Sequence, residues 1–319
     1  MKRILTIAIL ALLCCLPSVT FGGDPIRFAQ KDGRLFLSQA GQSVFEYVTR
    51  DDKVRRPYFR HLHTPSGIRV TRHHPPVEGS ELADHPTMHP GLWMAFGDIS
   101  GADFWRNKGL MRHVKFLKKP TVENAVASFA VRNSYESDGK PICTEDCEIQ
   151  VIFNSVPQCQ GTLITWTSRF TPAGDSFYFG DQEEMGLGIR VATPLTVVKG
   201  GTIRDSEGRE NGKEIWGKQA DWCEYTGAMN GKRVGIVLMT GVKNFRRSWF
   251  HARDYGLLLA NPFGRNAFTK GEKSRVEVKT GGKLRLRYGV FLYDSVSDKP
   301  PNIGEVYRDF IKQLKPPKK

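Results

Sequence analysis

The sequence lacks any apolar run long enough to span a membrane, which needs about 20 consecutive apolar residues. The longest run, Ile4 to Leu16, follows a basic N-terminus and precedes a small residue at Gly22. This order is typical of a secretory signal peptide. Residues 1–22 are therefore predicted to be a cleaved signal. The mature chain is predicted to be exported, periplasmic or extracellular, without an integral membrane span.

Cysteine is scarce, and four cysteines lie beyond the predicted signal: Cys143, Cys147, Cys159 and Cys223. An even number of cysteines in an exported chain is compatible with disulfides, although the sequence leaves the pairing open. Cys143 and Cys147 fall in the turn-rich stretch SDGKPICTEDC. If oxidised, they are predicted to close a small surface loop, and free buried thiols are the alternative. Their spacing gives no zinc pattern.

Helical periodicity is nearly absent, and apolar residues instead alternate with polar ones in short stretches closed by Gly, Asn, Asp or Pro. This period of two is typical of β-strands joined by turns. Parallel sheets require helical crossovers, so the pattern predicts an all-β protein, a large antiparallel β-sandwich of at least a dozen strands. The strand predictions are 34–39, 43–50, 127–136, 147–155, 162–171, 233–242 and 283–295.

One helix is predicted, at about residues 302–314, where apolar residues recur at helical spacing. Asn302 can cap its first turn, and Glu305 stands where a capping box places an acid. No repeat, low-complexity linker or composition change divides the chain. Residues 23–319 are therefore predicted to form a single sandwich domain that ends in this helix.

The motifs of several large enzyme classes are missing, namely GxSxG, HExxH, the P-loop and the dinucleotide fingerprint. No cofactor is expected. The formal net charge is +14, and a positive field raises the local concentration of anionic partners. For an exported chain this favours an acidic polysaccharide or an anionic envelope over nucleic acid.

Six of the eight histidines lie between His61 and His89. In a strand, His61 and His63 would share one face, a geometry that metal sites use, although solvent-facing side chains are the favoured interpretation. In DHPTMHPGLW, two His-Pro pairs restrict the backbone, because the residue before proline is excluded from the helical region. His85 and His89 are therefore predicted to lie in a stiff loop as catalytic candidates.

A third catalytic candidate, Glu184, lies in GDQEEMGLGIRVATPL, where one of two adjacent carboxylates could face a cleft. A carboxylate beside a histidine is the usual equipment for general acid and base catalysis. Paired glutamates at the start of a strand are also a common solvated edge, and this is the structural alternative.

Tryptophans cluster with acids, arginines and asparagines in three further stretches, around residues 93–108, 216–225 and 248–268. Aromatic rings cover the apolar face of a sugar, while planar polar groups pair with its hydroxyls. Ordinary core tryptophans followed by turns are the alternative. The candidate substrate-binding residues are Trp93, Asp103, Trp105, Arg106, Arg190, Asp221, Trp222, Trp249, His251, Arg253, Asn261 and Arg265.

The motifs DHPTMHPGLWMAFGDISGADFWRNKG, EEMGLGIRVATPL, ADWCEYTG and RDYGLLLANPFGR resemble the PmoA-like family of exported, planctomycete-type bacterial proteins of unknown function. The resemblance spans roughly residues 56–290. A methane monooxygenase subunit, to which that label refers, would need several apolar spans, and this chain has none. The resemblance implies a galactose-mutarotase-like supersandwich and a site that pairs histidine with carboxylate, here His85, His89 and Glu184.

The leading hypothesis is an exported carbohydrate-active enzyme that acts on a sugar or polysaccharide fragment, including an acidic one, by histidine and glutamate acid-base chemistry. Lyase, hydrolase and epimerase reactions all fit this description. The first alternative is a non-catalytic glycan-binding or envelope-associated module. The second is a metal-dependent enzyme whose ligands are His61, His63, His85 and His89.

Overall fold

The computed structural model describes residues 26–153, 160–295 and 301–314, so the predicted signal peptide and Cys159 lie outside the described residues. Along these ranges the chain forms mostly strands, which are β1 (Arg27–Lys31), β2 (Arg34–Gln39), β3 (Gln42–Val48), β4 (Tyr58–Arg60), β5 (Leu92–Phe96), β6 (Leu110–Glu123), β7 (Val126–Ser137), β8 (Lys140–Phe153), β9 (Gln160–Pro172), β10 (Phe177–Phe179), β11 (Met185–Arg190), β12 (Thr202–Asp205), β13 (Lys218–Gln219), β14 (Trp222–Met229), β15 (Lys232–Thr240), β16 (Trp249–Arg253), β17 (Leu257–Asn261), β18 (Val276–Val278) and β19 (Leu284–Ser295). The helices are α1 (Asn211–Ile215), α2 (Arg265–Thr269) and α3 (Ile303–Gln313), with 3₁₀ turns at Thr193–Leu195 and Val197–Lys199.

The strands form two large antiparallel sheets and a small one. The nine-stranded sheet has the order β1-β2-β3-β4-β5-β11-β17-β16-β13, and the eight-stranded sheet has the order β12-β14-β15-β19-β9-β8-β7-β6. β10 pairs with β18. The predicted all-β class with antiparallel sheets is confirmed, and the predicted strand stretches coincide with β2, β3, β7, β8, β9, β15 and β19.

The two large sheets pack face to face, and the core lies between them. Tyr47 of the nine-stranded sheet lies 5.2 Å from Phe129 of the eight-stranded sheet, measured between ring centroids. Phe59 and Trp166 cross the same interface at 5.5 Å. Strands such as β2 and β8 alternate buried apolar residues toward this layer, and burying one such side chain stabilises the fold by about 1.5–3 kcal/mol. The alternation seen in the sequence therefore defines the inner faces of the sandwich.

The predicted Cys143–Cys147 surface staple is wrong, because both residues belong to the continuous strand β8. Their side chains are buried and their thiols are free. Four residues along a strand span about 13 Å, whereas a disulfide needs Cα atoms within about 7 Å. The turn lies earlier, at residues 138–139, and residues 143–147 pair with both β7 and β9.

The predicted C-terminal helix is confirmed as α3, and Asn302 caps it by accepting a hydrogen bond at its side chain from the backbone N–H of Glu305. Its apolar side, including Ile303, Val306 and Phe310, packs on the outer face of the eight-stranded sheet. The short helices α1 and α2 have five residues each, too few to show a helical period in the sequence. No helix in the described part of the chain is long and apolar enough to cross a membrane.

The outer face of the nine-stranded sheet is covered at its centre by two loops, residues 61–91 and 97–109. Under these loops a second apolar cluster forms, which contains Trp93, Trp105 and Leu257. Both faces of β5 are consequently buried. Many of the histidines, glutamates and arginines of the candidate motifs lie directly above this covered region of the sheet.

Candidate active site

A pocket of about 530 Å³ opens on the outer face of the nine-stranded sheet. This volume falls within the range of about 300–1,000 Å³ that is usual for small-molecule sites. Five separate chain segments contribute side chains to it. The lining residues are His85, Met88, His89, Trp105, Arg106, Glu183, Glu184, Val198, His251, Arg253, Asp254, Tyr255 and Leu257.

Two indole rings support the pocket from below. Trp93 and Trp105 lie 5.3 Å apart, and both are almost completely buried. They lie against Gly188 of β11, where an added Cβ would come within 2.9 Å of the Trp93 ring. A side chain at this position would displace the rings, so the glycine permits their close approach.

Buried Arg56 holds both covering loops in place. Its Nη1 donates to the backbone oxygen of Trp105 at 2.9 Å, and its Nη2 donates to the backbone oxygen of Met88. Burial lowers the pKa of Arg56 to about 9. Hydrogen bonds from a charged group to backbone oxygens are among the stronger ones in proteins, so Arg56 is a positioning residue for the pocket wall.

The His-Pro loop closes into a single turn that brings its two histidines together. The backbone N–H of His89 donates to the backbone oxygen of His85 at 3.1 Å, and the two imidazole rings stack at 4.7 Å. The sequence predicted a stiff loop that keeps both residues off a helical face. In the structure the loop contains one turn, closed by the hydrogen bond between His89 and His85, and both side chains lie on the same side of it.

His89 is buried and is held as a neutral imidazole. It stacks on Trp93 at 5.2 Å. Burial lowers the pKa of His89 far below its usual range, and the nearby charges of Arg190 and Arg72 lower it further. Its Nδ1 has no hydrogen-bond partner among the described residues. A buried polar atom without a partner is costly to the fold.

Asp84 links the histidine loop to the sheet. Its two carboxylate oxygens accept hydrogen bonds from Arg190 at 2.6 and 3.0 Å, and one of them also accepts from Arg72 at 3.2 Å. His85 contacts the same carboxylate through Nδ1 at 2.9 Å. These contacts lower the pKa of Asp84, although its partial burial acts in the opposite direction. The network fixes the position of the loop above β11.

His251 of β16 forms the opposite wall with Arg253 and Glu183. Arg253 donates from Nε to Nε2 of His251 at 2.9 Å, so the proton of the neutral ring is on Nδ1. This Nδ1 has no hydrogen-bond partner in the described ranges and lies 4.0 Å from the Glu183 carboxylate. Burial, aided by the charge of Arg253, lowers the pKa of His251 to about 4. The neutral ring of His251 therefore has its N–H donor near the carboxylate of Glu183.

Glu184, the predicted catalytic carboxylate, is held by an arginine. Arg106 donates from Nη2 to Glu184 at 2.8 Å and from Nη1 to Asp103 at 3.3 Å. The neighbouring Glu183 lies 3.6 Å from the Arg253 guanidinium and close to His251. The two adjacent carboxylates therefore enter the same pocket with different partners.

The structure brings seven of the predicted site residues together in this pocket, which are His85, His89, Trp105, Arg106, Glu184, His251 and Arg253. His89 and Glu184 share the pocket although 95 positions separate them in the sequence. Asp103 contributes indirectly, because it orients Arg106 through two hydrogen bonds.

Three predicted substrate-binding residues are buried beneath the pocket or beside it and do not line it. Trp93 is fully buried, and Arg190 is occupied by Asp84. Asn261 is also fully buried, and its amide group binds the backbone of residues 182, 183, 263 and 264. In the pocket of about 530 Å³ these three residues give structural support and not direct contacts, because their side chains are buried and engaged by neighbouring groups.

Four other predicted substrate-binding residues lie elsewhere on the molecule. Asp221 pairs with Arg247, and Trp222 packs in the cluster beneath α3. Trp249 is buried and stacks on Phe268. Arg265 begins α2 and pairs with Glu272. Tryptophan next to charged residues is thus a weak predictor of a site, because a core strand flanked by surface turns gives the same composition.

Among the described residues, one group of three could hold a metal, and it differs from the predicted set of four histidines. The group is Asp84, His85 and His89, whose ligand atoms lie within 4.8 Å of one another. His61 instead hydrogen bonds to Glu46 at 2.9 Å. The carboxylate of Asp84 already faces two guanidinium groups, which would repel a cation. These residues therefore fit a metal poorly.

Sequence reasoning missed several residues of the pocket, chiefly Glu183, Met88 and Tyr255. Glu183 was recognised only as the neighbour of Glu184. Tyr255 lies in RDYGLL, one residue before Gly256, which has φ +112, and the Arg190 guanidinium lies 4.5 Å from its ring. The motif RDYGLLLANPFGR marked this region, but its aromatic residue gave no sign of facing a pocket.

The described residues form an antiparallel β-sandwich with two large sheets and a pocket on one outer face. The chain belongs to the family of unknown function DUF6807, whose model matches residues 34–304. None of the comparisons confirms the PmoA-like resemblance. No curated protein sequence matches this chain.

Solved structures of carbohydrate enzymes are similar to the chain at low identity. One is the α-galactosidase from Lactobacillus brevis, at 8% identity and a TM-score of 0.39, where the match covers 85% of this chain and 39% of that one. Another is the GalM/aldose epimerase homologue from C. elegans, at 9% identity and a TM-score of 0.32, covering 85% and 99%. The chain thus spans well under half of the α-galactosidase. The order and pairing of the strands define the fold of this chain independently of these similarities.

Proposed function

We propose that this is an exported carbohydrate-active protein that binds a sugar in the pocket and acts on it by proton transfer. The observation that carries the proposal is the meeting in one pocket of two buried histidines, His89 and His251, both kept neutral by burial, with the glutamates of the loop before β11. Both line one pocket together with Glu183. Neutral imidazoles beside a carboxylate in one pocket are the usual equipment for proton transfer.

The proposed roles follow from the tautomer of His251. Its Nδ1–H is a donor, and a donor beside a sugar oxygen stabilises the negative charge that develops there. Glu183 is the proposed base, because its carboxylate shares the pocket with this donor. The base removes the proton from the carbon next to the carboxylate of an acidic sugar. Return of a proton to the opposite face of that carbon gives the epimer, whereas departure of the β-oxygen substituent as an alcohol, with the proton, gives an unsaturated lyase product. No further reactant is required, which favours epimerase or lyase chemistry.

The remaining walls of the pocket suit a pyranose ring. Trp105, Tyr255 and Leu257 give an apolar side, while Arg106 and Glu184 give a polar one. A sugar presents an apolar face and a rim of hydroxyls, which these two sides can contact together. Two arginines in the pocket also allow a ligand with a carboxylate. An acidic sugar is therefore part of the proposal.

The first experiment is a calorimetric binding screen of neutral, uronic and sulfated mono- and oligosaccharides. For each ligand, incubation in D₂O followed by mass spectrometry detects proton exchange at carbon. Native protein is expected to bind at least one sugar and to catalyse exchange or turnover. Glu183→Gln should retain binding and lose exchange, while Glu78→Gln, at an exposed glutamate outside the pocket, serves as the matched control.

A non-catalytic glycan-binding module is the second candidate, and the same screen separates it from the first. The two arginines and the indole wall would serve binding equally well without chemistry. Binding without exchange, turnover or any effect of Glu183→Gln on the bound sugar would support the module. Absence of binding to any sugar in the panel would contradict both candidates.

A further inference from the structure

We propose that the protein has a second carbohydrate site, a basic groove on the opposite outer face that binds an acidic polysaccharide chain. The groove, of about 970 Å³, runs over the eight-stranded sheet beside the end of α3. This proposal does not depend on the proposed chemistry of the pocket. The charged residues that line the groove are Asp146, Glu148, Arg169, Lys243, Lys283, Arg285 and Arg287.

The groove exists because α3 covers only part of the sheet. On its outer face, β19 reads Arg285, Arg287, Gly289, Phe291 and Tyr293. Phe291 and Tyr293 pack in the cluster beneath the helix, and Gly289 admits the ring of Phe310. Arg285 and Arg287 lie beyond the covered area. The uncovered part of this strand is therefore basic.

The strand register places charges side by side across the sheet. Arg285 of β19 lies opposite Arg169 of β9, and Arg169 lies opposite Asp146 of β8. Asp146 is already neutralised, because Arg132 and Arg169 both donate to it at 2.6–2.9 Å. Neighbouring strands are about 4.8 Å apart. The row thus ends in Arg285, which has no partner carboxylate in the part of the chain that the structure describes.

Most cations of the groove are available to a ligand. In residues 26–153, 160–295 and 301–314, Lys243, Lys283 and Arg285 form no ion pair with a carboxylate. Burial and the like charge of Arg285 lower the pKa of Arg287. Opposite these cations lies the carboxylate of Glu148, which accepts a hydrogen bond from Gln150 and forms no ion pair with any residue that the structure describes. An anionic ligand would relieve the repulsion between the two arginines.

The lining indicates the class of the anion. None of the described residues that line the groove is aromatic. Neutral sugars and single-stranded nucleic acids are usually held by stacking on aromatic rings, which the groove does not offer. The concave shape of the groove suits a flexible chain better than a planar membrane surface. The chemistry therefore favours a chain recognised by charge, namely a polysaccharide with carboxylate or sulfate groups.

Fluorescence anisotropy with three labelled probes tests the proposal: a sulfated heparin oligosaccharide, an oligogalacturonate and neutral dextran. Native protein is expected to bind an anionic probe in a salt-dependent manner and not to bind dextran. The triple variant Lys243→Gln, Lys283→Gln, Arg285→Gln should weaken that binding by about tenfold, since each exposed contact contributes modestly. The control Lys31→Gln, Lys213→Gln, Lys273→Gln removes the same charge at exposed positions outside the groove and should leave affinity unchanged.

Several outcomes would contradict the proposal that the groove binds an acidic polysaccharide. Equal losses in both triple variants would show a response to net charge alone, and absence of binding by native protein would exclude the site. Tighter binding of single-stranded DNA or of anionic lipid vesicles, lost in the groove variant, would assign it to another partner. Glu183→Gln is expected to leave groove binding intact, so failure of the pocket chemistry and failure of the groove are distinguishable. Thermal melting of each variant confirms that it is folded.

Discussion

The imidazole of His89 lies 5.2 Å from the ring of Trp93 and is nearly parallel to it, at an interplanar angle of 16°. This stack joins the histidine loop to the central strand of the nine-stranded sheet. It gives His89 two roles, since the ring contributes packing and its nitrogens contribute hydrogen-bonding capacity to the pocket.

The two roles of His89 can be separated by substitution. His89→Ala removes the stacked ring from a buried position and is expected to lower the free energy of unfolding by about 2–4 kcal/mol. His89→Phe keeps an aromatic ring, so it should retain most of that stability and still lose sugar binding. Urea denaturation and calorimetry measure the two effects. Normal sugar affinity in a folded His89→Phe variant would remove His89 from the site.

The two adjacent carboxylates are predicted to differ in effect. Glu183→Gln removes the proposed base and should reduce turnover by about 10²–10⁴-fold with little change in KM. Glu184→Gln breaks the contact with Arg106 and should mainly raise KM. Steady-state kinetics on the sugar found in the screen measures both variants. The reverse result would assign the base to Glu184, the catalytic carboxylate that the sequence predicts.

The Asp84–Arg190 pair is expected to stabilise the pocket loop. Asp84→Asn leaves Arg190, which is 1% exposed, without its counter-charge, and breaking a buried pair in this way is costly. We expect a loss of roughly 2 kcal/mol, because Asp84 itself is partly exposed. Chemical denaturation measures the loss. Asp52→Asn, at an exposed site, is the control and should match native protein.

Acid is predicted to destabilise the fold through His74. Burial, with a further contribution from Arg60, lowers its pKa to about 4, against the attraction of Asp51. Below pH 6.5 the unfolded chain gains a proton at this residue while the folded chain does not, so stability falls as pH decreases from 6.5 to 4. The contribution is on the order of 3 kcal/mol.

Denaturation across this pH range tests the contribution of His74. His74→Gln should show a shallower loss of stability between pH 6.5 and 4 than native protein. His73→Gln, at a more exposed neighbouring histidine, should keep the native slope. Identical slopes in all three proteins would show that His74 does not contribute.

The cysteines of the described ranges are predicted to be unreactive. Cys143, Cys147 and Cys223 are buried, and burial raises the pKa of each thiol. Iodoacetamide requires the thiolate, so native protein should remain unmodified at these positions and become modified after denaturation. Peptide mass spectrometry locates the label. Rapid labelling of Cys143 in folded protein would contradict the position of β8.

Short-range patterns in the sequence were sufficient for the strands and for α3. Alternation at period two predicted β2 and β19 closely, and Asn302 marked the first turn of the helix. They failed at Cys143 to Cys147, where turn-type residues lie within a long strand. Pairing with β7 and β9 overrides the local preference there, because hydrogen bonds with neighbouring strands stabilise the extended backbone.

The sequence by itself determined the class of fold and several of the chemical groups of the site, because periodicity, capping and residue type act over a few neighbouring positions. The tertiary structure decided which of those groups meet. The adjacent strands β5, β11, β17 and β16 come from distant parts of the chain, and their registers place His89, Glu183 and His251 around one pocket. The tertiary structure also decided which charges form ion pairs. Arg190 pairs with Asp84, whereas Arg285 on the opposite face pairs with no carboxylate of the described residues. Both outcomes depend on contacts between distant segments, and local patterns carry no information about these contacts.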